Sequence, residues 1–308
     1  MTVAAELPPR LIGLATSSSA AVRALAVVSA LSVVTLLAAL VGLAVDGRTI
    51  AGAPAWLKPA KFAVSLAVYC ATLAWILTLI QGRPGFVRVV AWASALSLAL
   101  ELLLIVVQVV RGTTSHFNVA SGFDAAVFQA MGALVALVFL AAVGAGVLLV
   151  QQPGLPRVLG AGIRGGMAVA VLGMLVAVLM LANRDLSPGG AHTVGGPDGG
   201  PGLAILGWST EHGDLRIAHF VGLHALQVLP LLAWLLQRYA TRLTDTVCVQ
   251  LVWLATAAAA GLVVLLTWQA TRGLPLLHPD APVLTAAVCG AALMAAATAY
   301  VLGTASDQ

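Results

Sequence analysis

Eight stretches of the chain, at 22–45, 61–81, 87–110, 126–150, 158–183, 217–237, 247–270 and 282–303, are apolar over lengths close to what one helix needs to cross a bilayer. A hydrocarbon core of about 30 Å takes about 20 apolar residues per helix. Lipid offers no partner to a backbone N–H or C=O, so each stretch must satisfy its own backbone by being helical. The expected fold is all-α, a polytopic membrane protein with eight transmembrane helices. Apolar residues make up 61% of the 308 positions and charged residues 8%, which argues against a soluble globular domain and makes the lipid bilayer the first partner. The basic surplus, 15 Lys and Arg against 11 Asp and Glu, reads as loop charge facing anionic headgroups and not as a nucleic-acid surface.

Three short motifs recur in order. Leu57-Lys58-Pro59-Ala60-Lys61-Phe62 matches Leu215-Arg216-Ile217-Ala218-His219-Phe220 at an offset of 158. Gln108-Val109-Val110-Arg111-Gly112 matches Gln269-Ala270-Thr271-Arg272-Gly273 at 161, and Asp124-Ala125-Ala126-Val127-Phe128 matches Asp280-Ala281-Pro282-Val283-Leu284 at 156. Nearly constant offsets are the mark of duplication. Four spans per copy is an even number, so the expectation is two parallel four-helix repeats related by an axis along the membrane normal. The divisions expected are a cytoplasmic segment at 1–21, a first repeat at 22–150, an inner connection and fifth span at 151–183, a Gly-rich outer loop at 184–216, and three further spans at 217–304.

Placing both termini in the cytoplasm puts eight basic residues inside and seven outside. The inner ones crowd the span ends in short connections, where the positive-inside rule is strongest, so a multi-pass cell-membrane protein with cytoplasmic termini is expected. The first 20 residues lack a signal-peptide core, and the first span reads as an uncleaved anchor. Cys70, Cys248 and Cys289 lie in or beside spans and read as small apolar fillers.

Glu101 is the one acidic residue deep in a span, roughly 15 Å below Arg111 at 1.5 Å per residue. An ionisable group at that depth is costly unless paired, and marks a functional site by default. His224 and Gln227 share a face at a matching depth below Arg216, so Glu101 and His224 are the expected pair: a proton-sensitive or catalytic couple, or an interhelical hydrogen bond. His219 and His278 stand at span starts in the second half, where the first half has Lys61 and His116. Lys58, Lys61, Arg111, Arg216 and Arg272 gather at one membrane face, either snorkelling to headgroups or pairing at helix ends with Asp46, Asp124, Asp185, Asp214 and Asp280, or else forming an anion site for a carboxylate or phosphate. His116, His192 and His219 would serve a zinc hydrolase if the long loop assembled them.

The span count, the duplication and the paired histidines resemble the haem A synthase family. There, two four-helix units each place a histidine near the outer start of the second and fourth helices to bind haem. The resemblance implies a haem or transition-metal site on His219 and His278, with Lys61, Arg111, Arg216 and Arg272 available to the propionates, and membrane redox chemistry. Lys61 in place of a first-half histidine implies that at most one of two sites survives. Phe220 follows His219 where that family has arginine, and no outer loop carries a cysteine pair. Read from the residues alone, a transporter of a small anionic or proton-coupled solute is the alternative, and a zinc-dependent membrane hydrolase the third.

Overall fold

The computed structural model describes residues 20–306 of the chain. Among them are eight helices, each long and apolar enough to span a membrane. They are α1 (Ala20–Val45), α2 (Leu57–Thr78), α3 (Pro84–Val110), α4 (Gly122–Gln151), α5 (Arg157–Ala182), α6 (Leu215–Tyr239), α7 (Asp245–Thr271) and α8 (Ala281–Ser306). Two short antiparallel strand pairs complete the structure: β1 (Thr49–Ile50) with β2 (Ala53–Pro54), and β3 (Thr193–Val194) with β4 (Gly213–Asp214). The eight spans fall where the apolar runs put them. The expected cytoplasmic segment at 1–21 lies outside the described residues, apart from its last two positions, which already belong to α1.

The chain divides into two compact units, Met1–Gln152 and Pro153–Gln308, with four helices described in each. In both, the first three helices pack on one another and the fourth packs on the third. The ends are set by local chemistry. Pro84 opens α3 at a position where its missing N–H costs nothing. Ser121, Asp214 and Thr244 cap α4, α6 and α7 by accepting a backbone N–H of the first turn. α3 and α7 both close on a left-handed glycine, Gly112 (φ +76°) and Gly273 (φ +73°).

In the first unit, Ser29 Oγ on α1 donates to Ala67 O on α2 at 2.8 Å. The Trp56 indole lies on Gly42, where any Cβ would clash with the ring, and its Nε1 donates to Asp46 at 2.8 Å. Arg48 and Trp56 bonds hold the Asp46 carboxyl well below the usual carboxylate range.

In the second unit, α5 and α6 meet through glycines. A Cβ on Gly162, Gly166 or Gly173 would come within 2.7–2.8 Å of α6 backbone at Leu229, Ala225 or Gly222. Without a hydrophobic drive between helices in lipid, such small-residue contacts are what hold a pair together. The loop after α5 is folded: Asn183 Nδ2 donates to Ala191 O (3.1 Å) and Thr193 O (2.7 Å). Gly213 in β4 rests on the Ala270 carbonyl of α7 so closely that no side chain fits there.

Candidate functional site

Both units build an Arg–Asp brace at one end. In the first, Gln108 Nε2 on α3 donates to Asp124 Oδ1 at 2.9 Å, while Arg111 donates to the same oxygen at 2.6 Å and also to Gln108. Ser121 Oγ donates to Asp124 Oδ2 at 2.6 Å. In the second, Gln269 Nε2 donates to Pro275 O at 2.7 Å, and Arg272 pairs with Asp280, which caps the first turn of α8. Arg111 and Arg272 are thus helix-end clamps, and Arg216 is another, bonded to Asp214 (2.6 Å) and Gly207 O (2.5 Å). The snorkelling-or-pairing reading fits these three arginines, although their remaining N–H groups can still meet an anion.

Inside the first unit the brace overlies an acid–base chain. The 111–121 loop turns through Phe117, whose φ of +57° is a left-handed conformation that a non-glycine side chain adopts only under constraint. That turn brings His116 back over α2 and α3. Lys58 Nζ lies 3.2 Å from His116 Nδ1, and His116 Nε2 lies 3.4 Å from Glu101 Oε1. Lys58 as an ammonium can only donate, so Nδ1 accepts and the ring proton sits on Nε2, on the side of the ring nearer Glu101. Ser115 Oγ also lies 3.1 Å from Nδ1, but Ser115 is buried and offers no approach to a substrate. Phe62 stands 5.5 Å from the imidazole and Phe117 6.3 Å, and Phe117 packs edge-on to Phe128. Glu101 is 3% exposed, so the expectation that it faces the interior holds.

Its partner differs from the expected one. Glu101 pairs with His116 of its own unit, where the depth argument selected His224. His224 Nδ1 lies 3.2 Å from Gln227 Oε1, one turn on in α6, and its ring packs tilted against Phe220, centroids 4.3 Å apart. His219 is committed to the backbone: Nδ1 lies 2.8 Å from Gly173 O across the glycine contact. His278 is exposed beyond α7, so the two histidines have different surroundings. His192 packs in the folded loop with Nδ1 2.9 Å from Asp198 Oδ1. Burial lowers the His192 pKa from its ordinary value; burial works against the Asp198 carboxylate, yet its bonds from His192 and Thr193 hold it down at about 2. Among the described residues no three His, Cys, Asp or Glu side chains gather as a metal would require, so His116, His192 and His219 form no zinc site. Lys61 is half-buried one turn below Lys58.

Lys58, Phe62, Ser115 and Phe117 belong to the site without having been singled out for it. The signal available was that the 56–62 and 111–118 motifs are both unusually polar for this chain and both border Glu101's helix pair. Compared with family models, with curated proteins and with solved structures, the chain matches none.

Proposed function

We propose that the protein is a proton-coupled transporter of a small anionic solute, with the Lys58–His116–Glu101 chain as its proton carrier. The observation that carries this reading is one imidazole spanning an ammonium and a buried carboxylate. A single relay moves Lys58 Nζ–H onto His116 Nδ1 while Nε2–H passes to Glu101. The imidazole ends as its other tautomer, the ammonium becomes an amine, the carboxylate becomes an acid, and net charge is unchanged. Neutralising both ends favours this in a low-dielectric interior, where separated charges are costly. An anion beside Lys58 opposes the relay by stabilising the ammonium, and its departure releases the proton; that is the coupling. The two units are read as parallel copies with cytoplasmic termini, supported by the shared packing order and brace, and only the first copy keeps the carrier.

The test is pH-gradient-driven uptake of inorganic phosphate and succinate into vesicles of phosphatidylethanolamine and phosphatidylglycerol, read with a trapped pH dye. Glu101→Gln and Lys58→Arg should each abolish coupled proton movement. Arginine keeps the charge but does not give up its proton. Retention of coupling by Lys58→Arg would refute the relay.

A second reading, haem or a transition metal on His219 with redox chemistry, has one support: a ring fixed through Nδ1 to a backbone carbonyl is how proteins orient a ligand whose Nε2 binds metal. Soret absorption of the purified protein that is lost in His219→Ala would favour it.

A further inference from the structure

Five buried side-chain polar atoms lack a hydrogen-bond partner among the described residues, and all five lie on α2 and α3: Tyr69 Oη, Trp75 Nε1, Ser94 Oγ and both carboxylate oxygens of Glu101. The 3.4 Å approach of His116 to Glu101 is an ion-pair distance and satisfies neither oxygen as a hydrogen bond. Buried polar groups are almost always partnered, because leaving one bare forfeits its hydration without return, so four residues together on one helix pair need a reason. Their depths supply it. Tyr69 lies 11 residues past Lys58 and Glu101 lies 10 before Arg111, roughly 16 and 15 Å from the same end. Trp75 and Ser94 each lie 17 residues in, roughly 25 Å. Neighbouring helices therefore present unpartnered groups at two matched levels. Ser94 and Glu101 are seven apart and share a face of α3, as Lys58 and Tyr69, eleven apart, share one of α2.

We propose that these groups line a file of water molecules that carries protons between Glu101 and the membrane face opposite Lys58. The inference rests on the transporter reading and extends it by giving the proton its exit. A protonated Glu101 loses its O–H proton to the first water as that water passes another on. Each hop breaks one O–H bond and forms one. The Tyr69 and Ser94 hydroxyls can both accept and donate, whereas the Trp75 N–H only donates and anchors a water. The ionisable groups nearest Glu101 are Lys58 from α2 and His116 from the loop; Lys61 and the braced Arg111 and Asp124 pair lie toward the same end, and Arg23 on α1 and Arg88 on α3 toward the other. The stretch of α3 from Glu101 to Ser94 carries no other charged residue.

The experiment uses the full chain with Cys70→Ala, Cys248→Ala and Cys289→Ser in the vesicles named above. Ser94→Cys and the control Leu96→Cys, exposed on α3 at nearly the same depth, are treated with a small cationic methanethiosulfonate, which the thiolate attacks, so that reaction requires water at the sulfur. We expect Ser94→Cys to react at least about tenfold faster than Leu96→Cys, since thiolate formation falls steeply in hydrocarbon. Tyr69→Phe and Ser94→Ala should slow dye-reported proton movement while leaving the protein folded by gel filtration. If Ser94→Cys is as inert as Leu96→Cys and the two hydroxyl deletions leave proton movement unchanged while Glu101→Gln abolishes it, the water file is wrong and the carrier stands. If Glu101→Gln has no effect, the transporter reading falls first.

Discussion

The two units close their helix ends with a matching Arg–Asp pair but fill their interiors differently. Gln108, Gly112, Arg111 and Asp124 correspond to Gln269, Gly273, Arg272 and Asp280 in sequence, and Arg111–Asp124 to Arg272–Asp280 in bonding, while Gln108 reaches the carboxylate and Gln269 only backbone carbonyls. Below the brace, the first unit holds Glu101 under His116 and Lys58; at the corresponding place the second has Leu262, which is exposed on the face of α7. The second unit instead brings α5 and α6 together through glycines and uses His219 to bind a backbone carbonyl. Scaffold residues that satisfy helix ends are needed in any four-helix unit. A buried carboxylate serves no scaffold purpose that a leucine would not serve more cheaply. The difference therefore points to the first unit as the one doing chemistry.

The largest expected effect breaks the second unit alone. Gly173→Leu places a side chain where even a Cβ lies 2.7 Å from Gly222 Cα. It should destabilise by about 3 kcal/mol or more, as overpacking a tight contact does. Gly132→Leu in the first unit, where nothing lies within 4 Å, should be nearly neutral. Thermal unfolding in mild detergent checks both, and equal losses would mean that the glycine seam is not what distinguishes the units.

The next effect compares the braces. The Asp124 side chain is 9% exposed and receives three side-chain donors, whereas that of Asp280 is 30% exposed. Asp124→Ala should cost about 2–3 kcal/mol by stranding Gln108 and Arg111, and Asp280→Ala below about 1 kcal/mol because its pair is solvated. Denaturant titration of the two variants tests the ranking.

The smallest effect is on pH. His192 binds its proton less readily in the folded loop than its ordinary value of 6.5. The unfolded loop therefore takes up a proton first, and the loop weakens as pH falls below about 6.5. Asp198, held at about 2 against 3.8, adds stability above 3.8 that is lost between there and about 2. With the intrinsic slowing of exchange toward acid divided out, the protection of the Thr193 amide, which donates to Asp198 at 2.9 Å, should fall between pH 7 and 5, with no matching change at Ala55 beside the Asp46 pin.

The spans were legible in the sequence because hydrocarbon allows one backbone solution, and the braces because Gln, Arg, Gly and Asp recur at fixed spacing around a helix end. Glu101's inward direction followed from the cost of the alternative. Its partner did not, since counting residues from a helix end gives depth but not direction around the bundle, and His224 and His116 satisfy depth about equally well. The choice was made by the path of the 111–121 loop through the left-handed Phe117, and phenylalanine carries no sequence signal for that conformation. His219 was read as a ligand for similar reasons: its acceptor is a main-chain carbonyl, visible in advance only through the glycine spacing on α5.

The most direct test of the central claim is the infrared carboxyl band of the protein in vesicles, followed through a pH titration in wild type, Glu101→Gln and His116→Ala. The account predicts a protonated carboxyl signal at intermediate pH that vanishes in Glu101→Gln and shifts its midpoint in His116→Ala, while His278→Ala leaves it untouched. A signal unchanged in Glu101→Gln, or equally displaced by His278→Ala, would contradict a proton carrier confined to the first unit.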